Sequence, residues 1–150
     1  MGTLDIGQQT SVKAGKKEIT RSYRTIRAWQ LADQSVIEVY QTTSAFPREE
    51  LYGLVSQMRR AATSVAANIV EGTARGSKKE YLQFLFIARG SLAELGYYLD
   101  LSCRLHWISK EQFEPLDQQR DHAARVLHGL IQSVMLESGV IREVEPQYAS

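Results

Sequence analysis

The sequence predicts an all-α protein, an antiparallel up-down-up-down four-helix bundle. Three observations lead there. Apolar residues recur at i, i+3, i+4 and i+7 through long segments of the chain. Short corners rich in Gly, Pro, Ser and Thr separate those segments, and two corners hold helix-capping sequences. No segment alternates with period two for long enough to argue for a strand.

Residues 1–21 are rich in Gly, Thr, Ser, Lys and Gln, with only scattered apolar side chains. They are expected to form a disordered basic arm carrying Lys13, Lys16, Lys17 and Arg21. The bundle is expected over 22–138, and 139–150, which contains Pro146, as a loose tail.

The first helix is expected over about 25–43, with Ile26, Trp29, Val36 and Tyr40 near one face. Phe46-Pro47 ends it, because the residue before a proline is pushed out of the helical region. Pro47 then suits the start of a helix, and Glu49 and Glu50 complement its positive N-terminal end. The second helix is expected over about 50–74, with Leu51, Leu54, Val55, Met58, Val65 and Ile69 on one stripe. Small residues in its middle (Ala61, Ala62, Ser64, Ala66, Ala67) let neighbouring backbones approach closely.

Gly72 and Gly76 break the pattern, and Ser77-Lys78-Lys79-Glu80 is an S-x-x-E capping box that starts the third helix, expected to run to about 106. Its apolar residues keep to no single stripe: Phe84, Leu85, Phe86 and Ile87 are consecutive, as are Tyr97, Tyr98 and Leu99. A helix apolar most of the way round is buried on more than one side. One bundle core in a chain this short covers only part of it, so the uncovered side predicts a second copy of the chain. Phe86 and Tyr97 are candidate interface residues, with Glu94 beside them placed either as an exposed acid or against another subunit's arginine. Ser109-Lys110-Glu111-Gln112 is a second capping box, and the fourth helix comes after it over about 110–137, stopped by Gly139.

At 150 residues, 43% apolar and 23% charged, the chain is one domain with enough length for a core of its own. Cys103 is the only cysteine, so no internal disulfide forms and a reducing compartment is implied. No apolar run reaches membrane-spanning length and no secretion signal opens the chain, so no membrane partner and a cytoplasmic location are expected.

The net charge of +1 excludes a globally basic nucleic-acid-binding surface, but the charge is uneven. Residues 1–27 carry a net +4, residues 111–150 a net −4, and the stretch 59–79 again a net +4 from Arg59, Arg60, Arg75, Lys78 and Lys79 against Glu71. Such a stretch is either solvated surface or a patch that meets phosphate. Asn68 and Glu71 lie beside these arginines, which suits subunit or helix-end ion pairs as well as nucleic-acid contact.

No catalytic constellation is found. The Gly72–Gly76 spacing is one residue short of a phosphate-binding P-loop, and a helix precedes it where a strand is required. His106, His122 and His128 include no i, i+4 pair, and Cys103 with His106 supplies too few ligands for zinc. Glu71, Glu80, Glu94 and Asp100 lack the Glu-x-x-His pairs of a di-iron bundle. No metal, no cofactor and no enzymatic activity are expected.

One set of residues carries a family resemblance. It comprises Gln57-x-Arg59-Arg60-Ala61-x-x-Ser64, Asn68-Ile69-x-Glu71-Gly72-x-x-Arg75, Ser77-x-x-Glu80-Tyr81 and Phe84-Leu85-x-Ile87-Ala88-x-Gly90-Ser91-x-x-Glu94-Leu95. Phe46-Pro47-x-Glu49 and Tyr52-Gly53-Leu54 lead into it. Over about 22–138 the chain resembles the four-helix-bundle proteins first noticed in intervening sequences of bacterial large-subunit ribosomal RNA genes. That group is related to the accessory variability determinant of diversity-generating retroelements. The resemblance implies a homopentameric ring without known enzymatic activity. From the retroelement members it also implies binding of RNA or DNA and partnership with a reverse transcriptase. Those members bind through a strongly basic surface, whereas this chain is nearly neutral. Two functions are therefore expected to compete: a nucleic-acid-binding oligomer, with Arg59, Arg60, Arg75, Lys78, Lys79 and the basic arm as contacts, and a protein-interaction scaffold whose arginines serve subunit contacts.

Overall fold

A computed structural model of the chain describes residues 22–139. Four α-helices account for most of them: α1 Arg27–Thr43, α2 Ser56–Thr73, α3 Lys78–Arg104 and α4 Lys110–Ser138. No strand occurs among the described residues. The helices close a square in which α1 and α3 each touch both α2 and α4.

The core falls into two clusters that reveal the antiparallel order. One joins the first half of α1 (Leu31), the second half of α2 (Ile69), the first half of α3 (Leu85) and the second half of α4 (Leu127). The other joins Val39 from the end of α1, Met58 from the start of α2 and Leu95 and Leu99 from late in α3, with Phe46 and Ile108 from the connections. The first cluster underlies the α2–α3 corner, and the second underlies the opposite end, the kink end. Cys103 is half-buried against the second cluster.

The expected first and second helices are each shorter than their apolar patterns. A 3₁₀ turn, Ser22–Thr25, precedes α1, where the Gln30 amide donates to the Arg24 carbonyl and Tyr23 packs edge-on against Trp29. The expected single helix over 50–74 is interrupted. A 3₁₀ turn, Arg48–Glu50, leads into a widened π-type turn, Leu51–Val55, before α2 begins. Gly53 adopts φ −103° and ψ −115° there, a non-helical conformation in the middle of an apolar stripe. The Glu50 carboxylate accepts from the Leu54 N–H and braces the turn.

The corner between α2 and α3 is close-packed. A Cβ on Gly72 would lie 2.7 Å from the Tyr81 ring and 3.1 Å from Phe84 Cβ, so only glycine lets the helices meet there. Ser77 caps α3 by accepting from the Glu80 N–H, while the second capping box forms in both directions: Gln112 N–H to Ser109 Oγ and Ser109 N–H to Gln112 Oε1. α3 ends at Arg104 through His106, which sits at φ 63° without being glycine. Pro115 lies in the second turn of α4, where its missing N–H leaves the Glu111 carbonyl without its helical donor, yet the helix continues. Gly139, at φ 74°, closes α4 in the left-handed conformation that the sequence predicts for a stop.

Candidate nucleic-acid interface

The five basic candidates within 59–79 do not form one patch. Arg59 and Arg60 lie in the first turn of α2, while Arg75, Lys78 and Lys79 lie beyond its end. The rise of an α-helix puts about 20 Å between the two groups. Lys13, Lys16, Lys17 and Arg21 lie outside the described residues, as does the arm they belong to, and so does the tail beyond Gly139.

At the corner, carboxylates of the same chain already hold most of the charge. Arg75 pairs with Glu71 and lies 4.5 Å over the Phe84 ring. Lys78 Nζ donates to Glu137 across to the end of α4 at 2.7 Å. Lys79 is exposed and has no ion partner among the described residues.

At the kink end the arginines are held differently. Arg59 Nε donates to Thr43 Oγ1 at 3.0 Å, and its guanidinium lies 4.5 Å from the Tyr40 ring centroid. The Thr43 hydroxyl in turn donates to the Val39 carbonyl at 2.7 Å. Arg60 binds Gln57 and Glu94. Glu94 also accepts from the Tyr98 hydroxyl at 2.9 Å, and that hydrogen bond to a carboxylate raises the phenol above its ordinary pKa. The arginine that meets Glu94 is thus the chain's own.

A surface groove of about 520 Å³ runs between α1 and the kink, lined by Tyr40, Leu51, Tyr52, Val55, Ser56, Arg59, Arg60 and Thr63. It continues past Leu51, Val55 and Arg59 to Thr43, Phe46, Pro47 and Arg48. Among the described residues, no Asp or Glu lines either stretch. Tyr52 is 92% exposed. Tyr40, expected on the apolar face of the first helix, is instead at the surface beneath Arg59. Sequence reasoning passed over Tyr40, Tyr52 and Arg48 as site residues. Helical periodicity assigns Tyr40 to the core and runs one helix straight past Tyr52 and Gly53.

The interface candidates occupy the α2–α3 side. Asn68 donates to the Ser64 carbonyl and hydroxyl, and Ser64 shares a 2.8 Å hydrogen bond with Ser91, so this polar cluster ties α2 to α3. Glu71 is the partner of Arg75. Phe86 is half-buried against the corner-end core, with Arg89 over its ring. The outward face of α3 carries Ile87, Gly90 and Tyr97 at helical spacing, and Leu105, the residue that caps its end, continues that face. Ile87, Tyr97 and Leu105 are exposed, and a Cβ on Gly90 would meet nothing within 4 Å.

No helix of the described residues is long and apolar enough to cross a membrane, and no group of three or more His, Cys, Asp and Glu among them is placed to hold a metal ion.

A search of curated proteins finds no match to the chain. Among solved structures, the chain is similar to a crystal structure of a protein of unknown function from the S23 ribosomal protein family of Bacteroides thetaiotaomicron. The TM-score is 0.63 at 22% identity, over 70% of this chain and 98% of that one, a likeness of fold. The family model of the 23S rRNA-intervening sequence proteins matches residues 24–129. With that match covering the first three helices and most of α4, the chain belongs to the 23S rRNA-intervening sequence protein family.

Proposed function

We propose that the protein is a non-enzymatic, self-assembling four-helix bundle that binds RNA or DNA through basic side chains at the two ends of α2. The observation that carries this function is that three cations at the two ends of α2 have no carboxylate partner among the described residues: Arg48 and Arg59 at the kink end and Lys79 at the corner. One chain with a net charge of +1 offers few phosphate contacts. Copies in a ring repeat the same cations, and linked sites bind far more tightly than separate ones.

The exposed face of α3 supports assembly. Ile87 and Tyr97 stand open on one face of α3, with Leu105 just past its end, and Gly90 allows close backbone approach. The family resemblance suggests that the ring is a homopentamer and that the ligand is linked to ribosomal RNA or to a retroelement, with a reverse transcriptase as partner. A cytoplasmic location is consistent with the single free cysteine.

One observation favours the scaffold alternative. The ion pairs Arg60–Glu94, Arg75–Glu71 and Lys78–Glu137 neutralise three of the five candidate cations within the chain.

Light scattering at micromolar concentration and oligonucleotide anisotropy across a salt series test both halves. The expected result is a mass of five chains and an affinity that falls steeply with salt. A well-behaved monomer ends the assembly proposal, and no binding at low salt ends the nucleic-acid proposal. Reversing charge at Arg75 and Lys79 together separates the alternatives: lost assembly favours the scaffold, while lost binding with intact assembly favours the nucleic-acid function.

A further inference from the structure

We infer that the kink-end groove is a stacking site for unpaired bases of a single-stranded nucleic acid, an assignment that rests on the proposed nucleic-acid function and narrows its ligand.

Two flat platforms stand on the groove. Tyr52 is 92% exposed, yet it sits on a braced turn: Gly53 breaks the helix beside it, and Glu50 ties that turn to the Leu54 N–H. The second platform is the Arg59 guanidinium. Tyr40 lies 4.5 Å from it on one side, and Thr43 pins its Nε. A guanidinium plane, like an aromatic ring, accepts a stacked base. The Arg59 plane is therefore oriented before any ligand arrives, which lowers the ordering penalty of binding, while the Tyr52 ring stands open to solvent.

The remaining lining supplies the backbone contacts. Arg48 and Arg59 line the groove without a carboxylate partner, a charge pattern complementary to phosphates, while Arg60 on its rim is paired with Glu94. The Ser56 side chain adds a hydroxyl able to meet a sugar or phosphate, while that of Thr63 donates to the Arg59 carbonyl. Bases inside a duplex are already stacked on one another, so these platforms select unpaired bases. An acidic peptide would use the arginines but not both planes.

The test compares wild-type, Tyr52→Ala, Tyr52→Phe and Arg59→Gln proteins at one salt concentration. The ligands are a labelled oligouridylate and a blunt RNA duplex of equal length. Wild-type protein is expected to prefer the single strand. Tyr52→Ala should weaken single-strand binding about 5- to 100-fold and leave duplex binding and assembly mass unchanged. Tyr52→Phe should retain binding, and a 4-thiouridine strand should crosslink to the peptide containing Tyr52. Since Tyr52 makes few contacts of its own, its variants test binding and not folding. If wild-type protein binds neither ligand, the proposed function falls and this site with it. If it binds the single strand but Tyr52→Ala and Arg59→Gln are both silent, only the stacking site is overturned. A drop in assembly mass for Tyr52→Ala, or competition by polyglutamate as effective as unlabelled oligouridylate, assigns the groove to a second copy or a protein and also overturns it.

Discussion

The two ends of α2 carry similar formal charge in opposite settings. At the corner, Arg75 and Lys78 are clamped by Glu71 and Glu137, and Gly72 lets Tyr81 and Phe84 pack against the backbone. At the kink end Arg60 is paired with Glu94 in the same way, but Arg59 is held by a ring and a hydroxyl, and its charge is not neutralised by a carboxylate. The corner is built as a joint, the kink end as a surface. The difference teaches that charge counted along a chain is not charge available to a partner, because availability depends on which neighbours have already claimed it.

Three substitutions sharpen that contrast, from the largest effect to the smallest. Gly72→Val forces a branched side chain into the Tyr81 and Phe84 contact and should destabilise the protein by about 1–3 kcal/mol. Gly76→Val, where a Cβ has open space, serves as its control. Urea unfolding checks both, and equal loss at the two positions would refute the picture of a tight joint.

Arg59→Ala removes one hydrogen bond and one cation–π contact at a half-exposed site. A loss of about 1–2 kcal/mol is expected. Arg59→Lys should recover little, because an ammonium cannot lie flat on Tyr40 while bonding Thr43. A stability equal to wild type would mean that Arg59 is not held as described.

The smallest effect belongs to Glu94→Gln. Arg60 and Glu94 are both substantially exposed, so the loss should not exceed about 1 kcal/mol. Its signature is in the pH dependence. The Tyr98 phenol is raised in the folded state by its hydrogen bond to Glu94, so the folded protein holds that proton more tightly than the unfolded chain does. The stabilisation is therefore fully present below the ordinary tyrosine pKa of about 10 and is lost as pH rises through the folded value. Glu94→Gln should flatten that alkaline decline and return the Tyr98 titration toward its ordinary range. An unchanged phenolate absorbance titration would show that Glu94 does not set it.

Much of the bundle was legible in the residues. The i, i+3, i+4 stripes located all four helices; the Ser109 box and the Gly139 stop form as expected, while at Ser77 only the serine half of the capping box forms. The break at Gly53 was not legible, since Leu51, Leu54 and Val55 continue the stripe through it. The end of α3 was legible to within two residues, at Arg104 against an expected 106, but the positive φ of His106 was not, because nothing local marks a histidine for it. The candidate site was read least well. The stretch 59–79 looked like one basic corner because sequence proximity conceals the length of the helix between its ends, and Tyr40 looked like core because periodicity assigns faces without saying what covers them.

By itself, then, the sequence determined the helices, their caps and the surplus of apolar surface on α3, because periodicity and capping act through neighbours a few residues away. Only the tertiary structure decided which cations stay uncommitted. The partners that matter (Glu94 for Arg60, Glu137 for Lys78, Tyr40 and Thr43 for Arg59) come from other helices or from residues far along the chain. Packing brings them together, and no local pattern encodes it.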